Sequence, residues 1–171
     1  MDILEGIFSR RSVRDFTGEP VSRDAAMEIM RAGIWAPSGL NNQPWRFVPV
    51  EDREKRIELA GFTKYRRIVE SAPLVITVFI DRNAMYNEVK DHQAIGACLQ
   101  NMLLAAHALG LGAVWLGEIL NRSADVCNSL GVSESMELMA AIAVGYPAHG
   151  EQSSHRRELE DLLIGTFWAD R

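Results

Sequence analysis

Near the N-terminus, a basic run places three guanidinium groups and a hydroxyl close together in the chain: Arg10, Arg11, Ser12 and Arg14. A guanidinium group is planar and can donate two parallel hydrogen bonds, which matches the oxygens of a phosphate in geometry and charge. The basic run (residues 10–14) is therefore a candidate phosphate site. A solvated basic patch is the alternative, and the run alone does not separate the two.

A second candidate site is the polar loop, which we define as residues 37–45 and which reads PSGLNNQPW. Its two prolines limit the freedom of the backbone, while serine, asparagine and glutamine side chains offer both donors and acceptors of hydrogen bonds. A rigid loop of this kind suits the recognition of a ring that is rich in amide groups. The alternative is an ordered connection in which Trp45 simply fills the core.

Two predicted helices position these segments. Asp2 is expected to cap a short helix that ends at the basic run. Ser22 is expected to cap a second helix that continues to about Trp35 and leads into the polar loop. The two candidate sites should thus follow the ends of two separate helices.

The remaining pattern predicts one α+β domain. Further helices are predicted within residues 52–70, from about 86 to 109 and near 123–130, and strands at 45–50, 73–81, 113–117 and 138–144. Gly110 and Gly112 are expected to close the longest helix as C-cap and turn. Because the segment 73–81 is apolar at successive positions, we expect a central strand that is buried on both faces.

Composition excludes several classes of function. The chain has 171 residues, of which 47% are apolar and 24% charged, and a formal net charge of -5. Such a balance argues against a general binder of nucleic acids or anionic membranes, because both need a basic surface. No apolar stretch is long enough to cross a bilayer, and acidic residues precede the first apolar run. We therefore expect neither a membrane helix nor a signal peptide.

Cysteines and histidines give no indication of a metal site. Cys98 and Cys127 lie in apolar, helix-like segments without CxxC spacing, so we expect buried free thiols and a cytoplasmic location. The four histidines have no ligand spacing. Asp91 beside His92 is expected to have a surface or helix-packing role rather than a catalytic one.

Residues 151–171 form a C-terminal extension beyond the last predicted strand of a single domain that spans residues 1–171. The extension begins with polar residues and then carries large apolar ones: Leu162, Leu163, Ile164, Phe167 and Trp168. Because large apolar groups are rarely left in water, we expect the extension to pack on a partner subunit.

Several segments, taken in order, resemble the signatures of the nitroreductase family. They are RRSVRDF at 10–16, PSGLNNQPWRF at 37–47, SAP at 71–73, QNMLLAA at 100–106 with LGLG at 109–112, WLG at 115–117 and VGYP at 144–147. The resemblance covers nearly the whole chain and implies a central, mostly antiparallel sheet of four to five strands flanked by helices. It also implies an intertwined homodimer with FMN at the subunit interface.

The resemblance assigns part of the chain to the phosphate and ribityl chain of FMN. The residues carried over are Arg10, Arg11, Ser12 and Arg14 of the basic run and Arg156 of the C-terminal extension. Some relatives have a lysine two positions before Arg156, where this chain has Ser154. We expect that departure to weaken phosphate binding.

Other residues are assigned by the resemblance to the flavin ring. From the other subunit these are Pro37, Ser38, Gly39 and Asn41 of the polar loop, with Gly39 in place of a second serine found in some relatives. A basic residue on the pyrimidine side is Arg67 by position, with Lys64 as the alternative. Gly117 and Glu118 are expected to offer backbone groups to the ring.

The activity implied by the resemblance is transfer of two electrons from NADH or NADPH to a small acceptor, such as a nitroaromatic or a quinone, by a ping-pong mechanism. No side chain is assigned as catalytic, because the flavin is the reactive group. Three alternatives stay open. One is a specialised flavin enzyme of the same fold, such as a reductive dehalogenase or a metabolite dehydrogenase. The second is a flavin-binding storage or sensor protein without catalysis, and the third is a scaffold without flavin that uses its dimer to bind a partner.

Overall fold

The computed structural model describes residues 2–150 and 152–169, which contain six α-helices and four strands. The helices are α1 Ile3–Ser9, α2 Arg23–Ile34, α3 Arg53–Ala60, α4 Arg66–Ser71, α5 Glu88–Ala108 and α6 Ser123–Leu130. The strands are β1 Trp45–Val50, β2 Leu74–Asp81, β3 Gly112–Leu116 and β4 Met136–Gly145. The α+β prediction is confirmed.

The four strands form one open sheet in the order β1-β2-β4-β3, and each neighbouring pair is antiparallel. The predicted antiparallel sheet of four to five strands is thus confirmed, and it has four strands within the described residues. Strand β2 is buried on both faces, as its apolar sequence predicts. On one face Ile76 packs with α2 and α5, and on the other Val75 packs with α3, α4 and α6.

Capping fixes where the first two helices begin. The Asp2 carboxylate accepts hydrogen bonds from the N–H groups of Leu4 and Glu5, at 2.8 and 3.0 Å. The Ser22 hydroxyl accepts one from the Ala25 N–H at 3.2 Å. Each bond satisfies a backbone donor that the first helical turn leaves free. Both predicted caps are confirmed.

The basic run follows α1 and lies along the edge strand β3. The Val13 N–H donates to the Ala113 carbonyl at 3.1 Å, and Ser12 forms a bridge to the same residue. Gly112 was expected in a turn, but it is the first residue of β3. A Cβ atom added there would lie 2.7 Å from Val13, so glycine allows the basic run to approach the sheet closely. Gly110, with φ of 75°, does close the long helix.

Apolar surface is left uncovered at both ends of the chain. In α1, Ile3 and Phe8 are 77% and 70% exposed. In the C-terminal extension, Phe167 and Trp168 are 102% and 84% exposed. Glu151, Asp170 and Arg171 of the predicted extension lie outside the described residues. The described part of the extension therefore presents its large apolar side chains to the surroundings.

No helix within the described ranges is long and apolar enough to cross a membrane. The two cysteines are free thiols, as predicted, although Cys127 is half-buried rather than buried. Burial raises the pKa of the Cys98 thiol to about 12, so this side chain is an inert part of the core.

Candidate active site

An open pocket of about 600 Å³ lies between the basic run and the start of the C-terminal extension. Arg10, Arg11, His107 and Gln152 are among the residues that line it. Burial lowers the pKa of Arg10, and the nearby charges of Arg156 and Arg11 lower it further. Arg10 is therefore close enough to Arg11 and to Arg156, in a distant part of the chain, to be repelled by both, and a bound anion would relieve that repulsion.

The two leading arginines retain donors for such an anion. The Nε atoms of Arg10 and Arg11 are buried and have no hydrogen-bond partner among the described residues. Arg11 also donates from Nη1 to the carbonyl oxygens of Phe8 and Arg10, at 2.7 and 2.9 Å, and so closes the end of α1. Arg14 is exposed and donates to the Ser12 carbonyl at 3.2 Å. A buried donor without a partner is costly, so a ligand that reached these groups would be favoured.

The polar loop adopts a conformation that ordinary residues avoid. Leu40, Asn41 and Gln43 have φ angles of 55°, 55° and 48°, in the left-handed region. This region is unfavourable for residues with a Cβ atom, so surrounding contacts must hold the loop in it. One such contact is internal, because the Ser38 hydroxyl accepts a hydrogen bond from the Gln43 N–H at 3.1 Å.

A buried carboxylate at the start of α5 provides further contacts. Oδ1 of Asp91 accepts a hydrogen bond from Nδ2 of Asn42 at 2.7 Å. Its Oδ2 accepts from the N–H groups of Tyr86 and Asn87, at 2.9 and 2.8 Å. Burial raises the pKa of Asp91, but the hydrogen bonds from Asn87, Asn42 and Tyr86 outweigh burial and place the pKa below its ordinary value. Of the two expected roles, surface or helix packing, the surface position is excluded because Asp91 is fully buried, and the packing role remains.

Tyr86 explains the glycine in the polar loop. A Cβ atom added at Gly39 would lie 2.0 Å from the Tyr86 hydroxyl oxygen. A serine at this position would therefore not fit beside Tyr86 as it stands here. Gly39 thus permits close contact between the polar loop and the connection that leads into α5.

A third group of predicted residues meets beyond the end of β3. Oε2 of Glu118 accepts hydrogen bonds from the Thr63 hydroxyl at 2.6 Å and from the Lys64 N–H at 2.9 Å. Gly117 is the residue just before, at the start of a 3-10 turn. The contact joins segments 54 residues apart and brings Lys64 next to Glu118. Arg67, the other candidate cation, is exposed on the first turn of α4.

The two main parts of the predicted site do not meet within one chain. The basic run lines its pocket together with Leu103 and His107, in the last third of α5. Pro37, Ser38 and Gly39 line a separate pocket of about 230 Å³, together with residues 90–97 in the first half of α5. At 1.5 Å per residue these positions are about 15 Å apart along the helix axis.

Comparison with known proteins agrees with this architecture. The model of the Nitroreductase family matches residues 7–67 and 63–146, which together cover most of the chain. The chain belongs to the nitroreductase family. The sheet, the long helix and the segments that carry the candidate site all lie within the matched residues, whereas the C-terminal extension with Arg156 lies beyond them.

Individual nitroreductase relatives are similar over most of their length. A candidate NADH dehydrogenase/NAD(P)H nitroreductase of Methanothermobacter thermautotrophicus is 33% identical over 150 residues, which cover 86% of this chain and 78% of the relative. A candidate nitroreductase from Desulfovibrio desulfuricans, whose crystal structure was determined in complex with FMN, is 52% identical to this chain in sequence. The two structures have a TM-score of 0.93, and the comparison covers 99% of each chain. The NADPH:FMN oxidoreductase of Vibrio harveyi, complexed with NAD+, is 28% identical, with a TM-score of 0.87, covering 98% of this chain and 78% of that one.

The sequence did not predict the hydrogen bonds of Asn42, Thr63 and Asp91, although Asn42 lies in the polar loop and Asp91 was expected to have a surface or helix-packing role. Each bond joins residues that are far apart in the chain, and no local motif marks the pairing. The one usable signal was the spacing of Asn87 and Asp91, since an asparagine cap followed by an acidic first turn indicates a helix start that can hold neighbouring backbone donors.

The Thr63 hydroxyl is the first cause of a lowered pKa at Glu118, followed by the Lys64 N–H. We predict that Thr63→Val raises the pKa of Glu118 toward its ordinary value, whereas Thr63→Ser keeps it low. Carbon-13 NMR titration of the carboxyl group measures both. A lowered folded-state pKa stabilises the fold above the pKa of the unfolded chain, and this stabilisation is lost as the pH falls through the folded-state pKa. Thr63→Val should therefore reduce the loss of stability in acid, and equal titration curves for the two variants would contradict the assignment.

Proposed function

We propose that this chain is an FMN-dependent oxidoreductase that transfers two electrons from NADH or NADPH to a small acceptor, such as a nitroaromatic or a quinone. The observation that carries the proposal is that Arg10 and Arg11 line one pocket, each with a buried Nε donor that has no partner among the described residues, while the charge of Arg156 acts on Arg10 from the extension. Such a cluster suits a terminal phosphate, which FMN carries.

The residues present fit FMN. A pocket of about 600 Å³ is within the range that small-molecule cofactors occupy. Arg10, Arg11, Ser12 and Arg14 would bind the phosphate and ribityl chain, with Arg156 closing the pocket from the extension. The Desulfovibrio desulfuricans relative was crystallised with FMN, which supports the same cofactor here.

The flavin ring would be held by groups from three segments. Pro37, Ser38, Gly39 and Asn41 of the polar loop would lie along it, and the backbone of Gly117 and Glu118 would reach its edge. We assign the pyrimidine side to Lys64 rather than Arg67, because the Lys64 backbone is tied to Glu118. Both residues are exposed in the single chain, so each can approach a ligand at the surface.

When bound, FMN supplies reversible two-electron transfer, and the chain supplies binding, orientation and charge. A cation at Lys64 would stabilise the negative charge that arrives with the electrons. No side chain is assigned as catalytic. Donor and acceptor would occupy the same space in turn, so the proposed kinetic mechanism is ping-pong.

The proposed active unit is a homodimer with two shared sites. In one chain the basic run and the polar loop face pockets about 15 Å apart along α5. A two-fold partner would bring its own polar loop to the basic run and cover the exposed apolar residues of α1 and the C-terminal extension. The free thiols fit a cytoplasmic location.

The first prediction tests the cofactor. We expect the purified chain to be yellow and to release FMN rather than FAD, and Arg10→Ala or Arg14→Ala to weaken FMN binding. Each variant removes a charge-assisted hydrogen bond of about 1.5–3 kcal/mol, or roughly ten- to a hundredfold in the dissociation constant. Quenching of flavin fluorescence measures it, with Arg82→Ala as an exposed arginine control. A colourless chain that cannot be reconstituted with FMN would overturn the proposal.

The second prediction distinguishes the two candidate cations. Lys64→Ala should lower the reduction potential of bound FMN by about 30 mV, which corresponds to about 1.4 kcal/mol for a two-electron couple. Lys64→Arg should keep the potential, and so should Arg67→Ala. Anaerobic titration against a reference dye gives the three values. A lower potential in Arg67→Ala alone would assign the pyrimidine side to Arg67 instead.

The third prediction tests the shared site. An Arg10→Glu chain and an Asn41→Ala chain should each be weakly active as homodimers, because each damages both sites. After subunit exchange, a mixed dimer would hold both lesions in one site and leave the other site intact. With random pairing, activity should return to roughly a quarter of the wild-type level. Confirmed exchange without recovery would mean that each site is built within a single chain.

A further inference from the structure

We propose that Asp91 is a positioning residue: its carboxylate sets the conformation of the polar loop before any ligand binds. The inference rests on the proposed function, because the polar loop is assigned there to the flavin ring. It goes further by naming the group that gives the loop its shape. Asp91 itself lies in the first turn of α5 and is fully buried.

The first arm of the argument is the position of Asn42. This residue lies between Asn41 and Gln43, and both of these neighbours have left-handed backbone angles. Its Nδ2 donates to the Asp91 carboxylate at 2.7 Å and to the Ala84 carbonyl at 3.0 Å. Because Asn42 is held in place, the unfavourable backbone angles of Asn41 and Gln43 on either side of it are maintained. The hydrogen bond is strong because its acceptor is a charged carboxylate.

The second arm runs through Tyr86. The other carboxylate oxygen accepts the N–H groups of Tyr86 and Asn87, which fixes the backbone that enters α5. The Tyr86 hydroxyl in turn lies against Gly39, where an added Cβ atom would be 2.0 Å away. One carboxylate therefore holds the polar loop at Asn42 directly and holds the backbone of the residue whose side chain lies against Gly39.

The consequence for the proposed site is preorganisation. A loop that already has its bound shape loses less conformational entropy when a ligand binds, so affinity and orientation both improve. Ser38 is next to Gly39 and Asn41 is next to Asn42, and these are the two positions at which the arms reach the loop. Loosening Asp91 should therefore misplace them without removing any atom that touches the ligand.

The test compares Asp91→Asn with Glu88→Gln by amide hydrogen exchange in the absence of FMN. Asp91→Asn keeps only one acceptor oxygen, so its NH2 group must face either Nδ2 of Asn42 or the N–H groups of Tyr86 and Asn87, and one of the two arms is lost. Exchange in residues 38–43 should then rise about tenfold or more, while exchange in β2 stays unchanged. Glu88 is an exposed carboxylate in the same helical turn, so Glu88→Gln changes the charge equally and should leave the loop unchanged.

A reciprocal variant tests the pairing itself. In Asp91→Asn with Asn42→Asp, a donor again faces an acceptor, so slow exchange in residues 38–43 should return in part. The dissociation constant of FMN should rise about tenfold in Asp91→Asn and fall again in the reciprocal variant. If Asp91→Asn does not fold, Asn42→Ala gives the same comparison, since it leaves the carboxylate its two backbone donors.

Each outcome decides one question. Unchanged exchange in residues 38–43 of a folded Asp91→Asn or Asn42→Ala chain overturns the role of Asp91, whatever the flavin result. Equal acceleration in β2 also overturns it, because the effect would be general destabilisation. A wild-type chain that binds no FMN refutes the proposed function, and the exchange rates still establish whether Asp91 holds the loop.

Discussion

The length and packing of α5 constrain everything else in the candidate site. The helix has 21 residues and packs against α2, β3 and α1. At 1.5 Å per residue it is about 32 Å long, and the residues that line the two pockets are about 15 Å apart along it. The basic run is fixed near one end through Val13 and β3, and the polar loop is fixed near the other through Asp91. Within one chain the two groups therefore face separate pockets.

Two carboxylates each connect two segments of the chain near α5 and β3 by hydrogen bonds. Asp91 joins the start of α5 to the polar loop, and Glu118 joins the turn after β3 to the segment that precedes α4. Each accepts at least one backbone N–H and one side-chain donor, and each has a pKa below its ordinary value. Because an ionised carboxylate accepts several donors at once, a single side chain can hold two distant loops. The polar residues near the site thus shape it without needing to touch a ligand.

The sequence predicts the elements well because their signals are local. Strand β1 was predicted with its observed bounds, and the cap at Ser22 was predicted from the residue type and the apolar period that follows. The meeting of Arg10 with Arg156 came only from the family resemblance. The pairing of Asn42 with Asp91 was missed, because it joins residues 49 apart that have no shared motif. Such contacts depend on the tertiary arrangement of α5 and the polar loop, which periodicity does not encode.

Electrostatics gives the last link between fold and proposed chemistry. The net charge of -5 repels anions at long range, yet FMN and both nicotinamide dinucleotides are anions. Exposed charges are largely screened beyond about 10 Å at 0.1 M salt, so the local arrangement decides what binds. Arg10 and Arg11 place buried donors at one pocket, and Arg156 adds its charge from the extension. A local cluster of donors on a chain with net negative charge favours a phosphate bound in that pocket over an anionic partner attracted to the whole surface. A cofactor that stays bound while its substrates exchange requires such a local site.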